Sequence, residues 1–461
     1  MNSVATQQKR FIKLTPSNNS TTGFSPDSSQ PIIRFSVADT MAHANMKDAR
    51  LNFRIRVERA AGVSVAQGDD FNVDLGVGMC GVLDQVIVSS RRYGNQLEAV
   101  HNMGRLNSAW YSSLYSPKQM NSNQNLLCRT TGKGRYNGTH GESGAGITLT
   151  DQRQLLQRKY LRTSATATGA TEWNGGTGLL DCSVPIHLGL FQNEDVNLNQ
   201  VGGLEISIYL AQSRALFYGV SAGNNPPTAS STYSLHDVSL TMPLLYMSAG
   251  EIQQQVQTPE SMMSFMSWTS IYSVLDSTFA SVAHRLALKG LLSSIHNFLP
   301  TNAINSTTFN NHALLDPGMQ ELTFLRDGVK NPMEKTSLVA DSRSTTLANK
   351  ASTQAEILND YLGAYRNPRD ILYSQVIPDN LNGIGATQSR ASYGIGANYD
   401  PSAGAGIAVN GTISYDIRSK IQAVNSSAAN WTAQSTEPFA MYSFYLARQN
   451  YMVSPQGITS V

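Results

Sequence analysis

Short runs of alternating apolar and polar residues recur along this 461-residue chain, and they limit its fold more than any other feature. Leu51, Phe53, Ile55 and Val57 alternate with Asn52, Arg54, Arg56 and Glu58. Leu204, Ile206, Ile208 and Leu210 repeat the pattern, and so do Val238, Leu240, Met242, Leu244 and Tyr246. A period of two places one face of a strand against a core and the other in water. Ile32–Val37, Val82–Ser89, Val184–Phe191, Leu322–Leu325, Ile371–Ile377, Ile407–Ile417 and Phe439–Leu446 are denser apolar runs that also read as strands. Turn-forming clusters such as Gly223-Asn224-Asn225-Pro226-Pro227 separate them. Many short strands joined by polar loops predict an all-β sandwich class.

Three segments carry helical spacing instead. Gln96–Tyr115 places Leu97, Val100, Met103, Trp110 and Leu114 on one face, with Asn95 as N-cap and Glu98 three residues on. Asp276–Leu299 carries Phe279, Val282, Leu286, Leu288, Leu291, Leu292, Ile295 and Leu299, and Pro300 stops it. Thr353–Tyr365 opens with a capping box, Thr353 and Glu356. Each half of the chain opens with strands, inserts a helix, crosses a Gly/Asn/Ser-rich stretch and closes on an apolar strand. The closing strands are Val238–Tyr246 and Phe439–Leu446. This order predicts two sandwiches in tandem. A flexible arm over residues 1–30 carries the basic cluster Lys9, Arg10 and Lys13. The first β-domain spans 31–248, with a helix inserted near 96–115. A linker with a helix spans 249–300. The second β-domain spans 301–461, with a helix near 353–365.

Charged residues make up 14% of the chain, against about 25% in an average protein, and Ser, Thr, Asn and Gln together make up roughly a third. The net charge of +2 argues against bulk nucleic-acid binding, which needs a basic excess to displace phosphate counterions. An apolar content of 41% argues against disorder. Cys80, Cys128 and Cys182 are too few for a disulfide scaffold and odd in number, so they are expected reduced and packed. Met1–Leu14 has no apolar core of a secretory signal, and no run of about 18 apolar residues predicts a membrane span.

The motifs carry little chemistry. Gly76-Val77-Gly78-Met79-Cys80-Gly81 has the dinucleotide-binding glycine spacing, but a strand follows it where the pyrophosphate needs a helix N-terminus. Gly132-Lys133-Gly134-Arg135 lacks the rest of a phosphate loop. Gly141-Glu142-Ser143-Gly144, with His140 beside it, has no identifiable acid to complete a triad. The histidines, at 43, 101, 140, 187, 236, 284, 296 and 312, form no H-E-x-x-H, and His284 and His296 sit too far apart on one helix to share an ion. No catalytic, cofactor-binding or metal-ligating residue is assigned. No cofactor is expected, and the chain is not expected to be an enzyme.

Three stretches carry a family resemblance. They are Leu83–Ser108 (LDQVIVSSRRYGNQLEAVHNMGRLNS), Arg285–Leu299, and Leu322–Pro332 (LTFLRDGVKNP). In them the chain resembles the double jelly-roll major capsid proteins of double-stranded DNA viruses, in the virophage, Polinton-like and adenovirus–tectivirus lineage. It departs from the pattern where Lys330-Asn331 precede Pro332, since the family often has an aromatic there. The resemblance implies an all-β fold of two tandem eight-stranded jelly rolls with a few inserted helices. It implies a homotrimer, a pseudo-hexameric capsomer tiling an icosahedral shell. The implied partners are further copies of the chain, neighbouring capsomers, and penton and minor capsid proteins. From the capsid interior the basic arm Lys9–Lys13 is expected to reach an internal membrane or a neighbouring capsomer, and no sequence-specific nucleic acid is expected. The implied location is the virion, after synthesis in the host cytoplasm. Asn121–Gly146, Thr163–Gly178 and Gly219–Ser234 would be contact or tower loops. The alternative is a β-sandwich glycan-binding or receptor-binding protein, such as a fibre, a minor capsid protein or a carbohydrate-active one.

Overall fold

A computed structural model of the chain describes residues 9–18, 20, 22–28, 31–65, 71, 73–74, 77–113, 179–218, 227–257, 261–275, 279–287, 291–301, 311–312, 319–326, 329–330, 395–398, 412–421, 438–454 and 457–460. Its strands in the first half are β1 (Lys9–Leu14), β2 (Ile32–Val37), β3 (Ala42–Ala44), β4 (Arg50–Ala60), β5 (Val63–Ser64), β6 (Leu83–Ser90), β7 (Gln96–Val100), β8 (Leu180–Pro185), β9 (Val196–Asn197), β10 (Leu204–Leu210) and β11 (Thr232–Tyr246). Those of the second half are β12 (Ser261–Leu275), β13 (Phe279–Ala287), β14 (Leu291–Pro300), β15 (Met319–Arg326), β16 (Val329–Lys330), β17 (Ile395–Asn398), β18 (Thr412–Ile421), β19 (Phe439–Ser454) and β20 (Gly457–Ser460). The helices are α1 (Met103–Ser113), α2 (Leu198–Val201), α3 (Ser213–Leu216) and α4 (Ala249–Gln257).

The two halves repeat one strand order. In the first, the eight strands β1, β2, β4, β6, β7, β8, β10 and β11, counted one to eight, pair as β1-β11-β4-β8 and β2-β10-β6-β7. In the second, the eight strands β12 to β19 pair as β12-β19-β14-β17 and β13-β18-β15-β16. Both halves therefore read 1-8-3-6 over 2-7-4-5, which is the jelly roll. The expected pair of tandem eight-stranded jelly rolls is what forms. β7 and β12 then meet as parallel neighbours at Ala99 and Thr269, so one sheet of each jelly roll joins the other in a continuous nine-stranded sheet with β20. The junction is a single bridge pair, which brings the edges of the two sheets together.

The alternating runs behave as read. β4 buries Leu51, Phe53, Ile55 and Val57, and β10 buries Leu204, Ile206, Ile208 and Leu210. Each such side chain contributes about 1.5–3 kcal/mol on leaving water. One apolar cluster continues from Phe35, Leu51 and Val88 through Trp268, Leu299 and Phe444, so the two jelly rolls share a core.

Four expectations are corrected. The N-terminal arm is not free over its basic cluster: Lys9–Leu14 is β1, the first strand of the jelly roll, in register with Leu240–Leu245. Ile12 and Leu14 pack on the core, while Arg10, Phe11 and Lys13 are exposed. The helix expected from Gln96 begins only at Met103. Gln96–Val100 is β7, hydrogen-bonded to β6, and Asn102 at φ +56° breaks the chain direction before α1. The helix expected over Asp276–Leu299 is two strands, β13 and β14. Leu292–Leu299 is buried on both faces, so the period of two is erased and chance 3–4 spacing imitates a helix. Finally, residues 249–300 are not a linker. After α4, which Ser248 and Glu251 cap reciprocally, they supply the first three strands of the second jelly roll. Thr353–Tyr365, Ile371–Ile377, Asn121–Gly146, Cys128, His140 and the Gly132 and Gly141 motifs lie outside the described residues.

Candidate functional site

The seam between the jelly rolls concentrates the buried polar chemistry of the described residues. Glu98, on β7, is fully enclosed. Its Oε1 accepts the backbone N–H of Gly189 at 2.9 Å and that of Trp268, on β12, at 2.7 Å. Its Oε2 accepts the N–H of Leu190 at 2.7 Å. Gly189 and Leu190 open a 3-10 turn, Leu190–Gln192, whose first N–H groups have no partner of their own. Burial raises the Glu98 carboxyl from 4.5 to about 7, against these hydrogen bonds, which favour the charged form.

The backbones approach closely here. A Cβ on Gly189 would lie 1.9 Å from the Met266 carbonyl oxygen of β12. Around this contact Trp110 stacks on His187 at 5.4 Å and meets the edge of Trp268 at 6.3 Å. Tyr451 donates to the Leu97 carbonyl at 2.8 Å, Asn95 donates to the Ile458 carbonyl at 2.9 Å, and the His101 N–H donates to Ser270 Oγ at 2.8 Å. Burial, with the Glu98 charge adding to it, pushes the Tyr451 hydroxyl up to about 12.

A second polar cluster spans the two sheets of the second jelly roll. His284 meets Ser273 Oγ at 2.8 Å and the Tyr445 hydroxyl at 2.7 Å, and His296 Nδ1 meets Ser443 Oγ at 2.9 Å. Both imidazoles present to the Tyr445 ring, at 5.9 and 5.7 Å. The fold thus brings together two histidines that the sequence reading had spread along one helix. Burial, and then the neighbouring His284, lowers His296 to about 3, so it is neutral. Among the described residues no three His, Cys, Asp or Glu side chains form a metal-binding group.

Of the glycine motif, Gly78–Gly81 lie in the 3-10 turn Gly78–Val82, which leads into β6, the strand expected there. Cys80 and Cys182 are buried. Sequence reasoning noticed Glu98 but made it the partner of Asn95. It caps a turn, yet one some ninety residues away. A carboxylate in an otherwise apolar strand is the signal that marks it.

No family model matches the chain, and no curated protein sequence does. Solved structures match over nearly its whole length. The Vp54 protein of PBCV-1, fitted into a cryo-EM reconstruction of the virophage Sputnik, aligns at a TM-score of 0.55 and 8% identity, covering 99% of this chain and 97% of that one. The Faustovirus major capsid protein aligns at 0.55 and 9%, covering 97% and 91%. The cryo-EM structure of the Sputnik virophage aligns at 0.52 and 11%, covering 98% and 88%. The shared property is the fold: two jelly rolls in tandem, along the full length of the chain.

Proposed function

We propose that this chain is a major capsid protein that trimerises into a pseudo-hexameric capsomer and tiles an icosahedral shell. The observation that carries the reading is the repeat of the 1-8-3-6 over 2-7-4-5 order, with the two copies fixed side by side by a common sheet and core. A threefold axis acting on two similar barrels gives six similar lobes. That outline packs with sixfold neighbours, and closed point symmetry is the usual solution for identical chains. The whole-length likeness to capsid proteins supports the reading over a glycan-binding sandwich.

In this reading the chain acts without catalysis and resides in the virion after synthesis in the host cytoplasm. Its partners are its own copies, neighbouring capsomers, and penton and minor capsid proteins. The first jelly roll extends from β1 to β11 and the second from β12 to β19. With Lys9–Leu14 built into the sheet, any membrane contact of the basic cluster would fall to β1 and not to a free arm, with exposed Phe11 and Lys13 on the face opposite Ile12 and Leu14.

Light scattering of the purified protein, with negative-stain images of the same peak, tests the reading. The expected species has three times the 50.0 kDa chain mass and a hexagonal outline. A particle of another stoichiometry without sixfold appearance, unchanged when minor capsid proteins are co-expressed, would overturn it.

A further inference from the structure

A cleft of about 120 Å³ opens on the seam, apart from Glu98. Asn102, Gly104 and Arg105, at the start of α1, form one wall. Leu83, Asp84, Ala211 and Ala215 continue the side belonging to the first jelly roll, and Leu299, Asn311, His312 and Tyr442 close it from the second. Arg105 is 6% exposed, and its guanidinium lies over the Tyr442 ring at 4.3 Å. Its Nη1 is buried without a hydrogen-bond partner; Tyr442 and the Asp84 carboxylate interact with the guanidinium, and among the described residues no salt bridge joins it to a carboxylate. A buried cation without a close ion pair is costly, and a nearer counter-charge relieves the cost. At this end of α1 the Asn102 carbonyl accepts the N–H groups of Arg105 and Leu106, so those of Met103 and Gly104 are left without an intrahelical acceptor at the helix's positive end. The start of an eleven-residue helix and a guanidinium with an unsatisfied Nη1 thus line one small space.

We infer that this cleft binds a small oxyanion, of the size and charge of inorganic phosphate, between the two jelly rolls. Arg105 supplies charge-assisted hydrogen bonds through Nη1, and the start of α1 supplies backbone donors and the dipole. The Tyr442 face holds the guanidinium plane, so little side-chain freedom is lost on binding. The cleft has room for one such ion with a water or two, and not for a nucleotide. Asp84 is the opposing charge. It lines the same cleft, where burial, against the pull of His101 and Arg105, raises its carboxyl above the usual carboxylate range and so favours the neutral form. Because the anion would touch both jelly rolls, binding would favour the closed seam by mass action.

Titration of the purified full-length protein with inorganic phosphate, against chloride at equal ionic strength, tests the inference by calorimetry and thermal shift. Phosphate is expected to bind one site per chain and to raise the unfolding midpoint where chloride does not. Arg105→Gln is expected to weaken binding at least tenfold, the loss of a charge-assisted pair. Asp84→Asn is expected to strengthen it severalfold. No phosphate-specific binding to the wild type would overturn the inference, leaving a water-filled cleft. So would an Asp84→Asn protein that binds phosphate no better than wild type, whether or not Arg105→Gln folds. Neither outcome bears on the trimer test above, so the two readings fail separately.

Discussion

The backbone N–H of Trp268 donates to Glu98 Oε1 at 2.7 Å, and this bond joins the fifth strand of one jelly roll to the first strand of the next. The same oxygen accepts from Gly189, so a single carboxylate ties two strands and a turn that are far apart in sequence. Covalent continuity alone would leave two barrels on a tether. The shared carboxylate, the β7–β12 bridge and the common core fix their relative position.

Glu98 makes stability depend on pH. Its folded value, about 7, lies above its ordinary 4.5, so the folded state holds the proton more tightly. The contribution is fully present below about pH 4.5, falls as pH rises, and is lost above about 7, for a total of roughly 3 kcal/mol. Glu98→Gln cannot titrate. Urea unfolding between pH 4.5 and 8 should show this slope in the wild type and its loss in the variant.

His296 acts in the opposite direction. Its folded value of about 3 lies below its ordinary 6.5, so the folded state refuses the proton that the unfolded chain accepts. Stability from this group is present above about pH 6.5 and declines towards pH 3, by about 5 kcal/mol at most. His296→Gln keeps a polar contact for Ser443 without titrating. Acid unfolding of this variant should begin at a lower pH than that of the wild type.

Gly189 is needed for the seam by contact rather than by conformation. Its φ is −63°, which any residue adopts, yet a Cβ would sit 1.9 Å from the Met266 oxygen. Gly189→Ala must push β12 away and is expected to destabilise by about 3 kcal/mol. Gly250, in α4, has nothing within 4 Å of an added Cβ. Gly250→Ala should be neutral or stabilise by about 0.5–1 kcal/mol. Chemical denaturation of the two variants side by side decides the point.

Removing residues 1–14 should not behave as the loss of a tail. It deletes β1 and bares the edge of β11 from Leu240 to Leu245. An exposed apolar edge templates non-native pairing. The truncated protein is expected in the insoluble fraction, or to unfold several degrees earlier by calorimetry. Unchanged solubility and midpoint would mean that β1 contributes nothing.

Strands with one wet face were legible. β4, β10 and β11 show their alternation because Asn52, Arg54 and Arg56 reach water opposite Leu51, Phe53 and Ile55. The architectural repeat was legible too, since both closing strands stand out. β14 was not: covered on both faces, it carries no wet side to set a period, and its leucines fell by chance at helical spacing. β1 was not legible because Arg10 shares a face with Ile12 and Leu14 and only those two apolar side chains reach the core, too few to show a period.

The sequence by itself determined the β class and the tandem arrangement, because those follow from local periodicity and residue type. Only the tertiary structure decided which edges join, that Glu98 serves Gly189, Leu190 and Trp268, and that Arg105 faces a cleft closed by Asn311 and Tyr442. These are contacts between residues a hundred to several hundred positions apart. They arise from burying two barrels against each other, and no local pattern encodes which strand a buried side chain will meet.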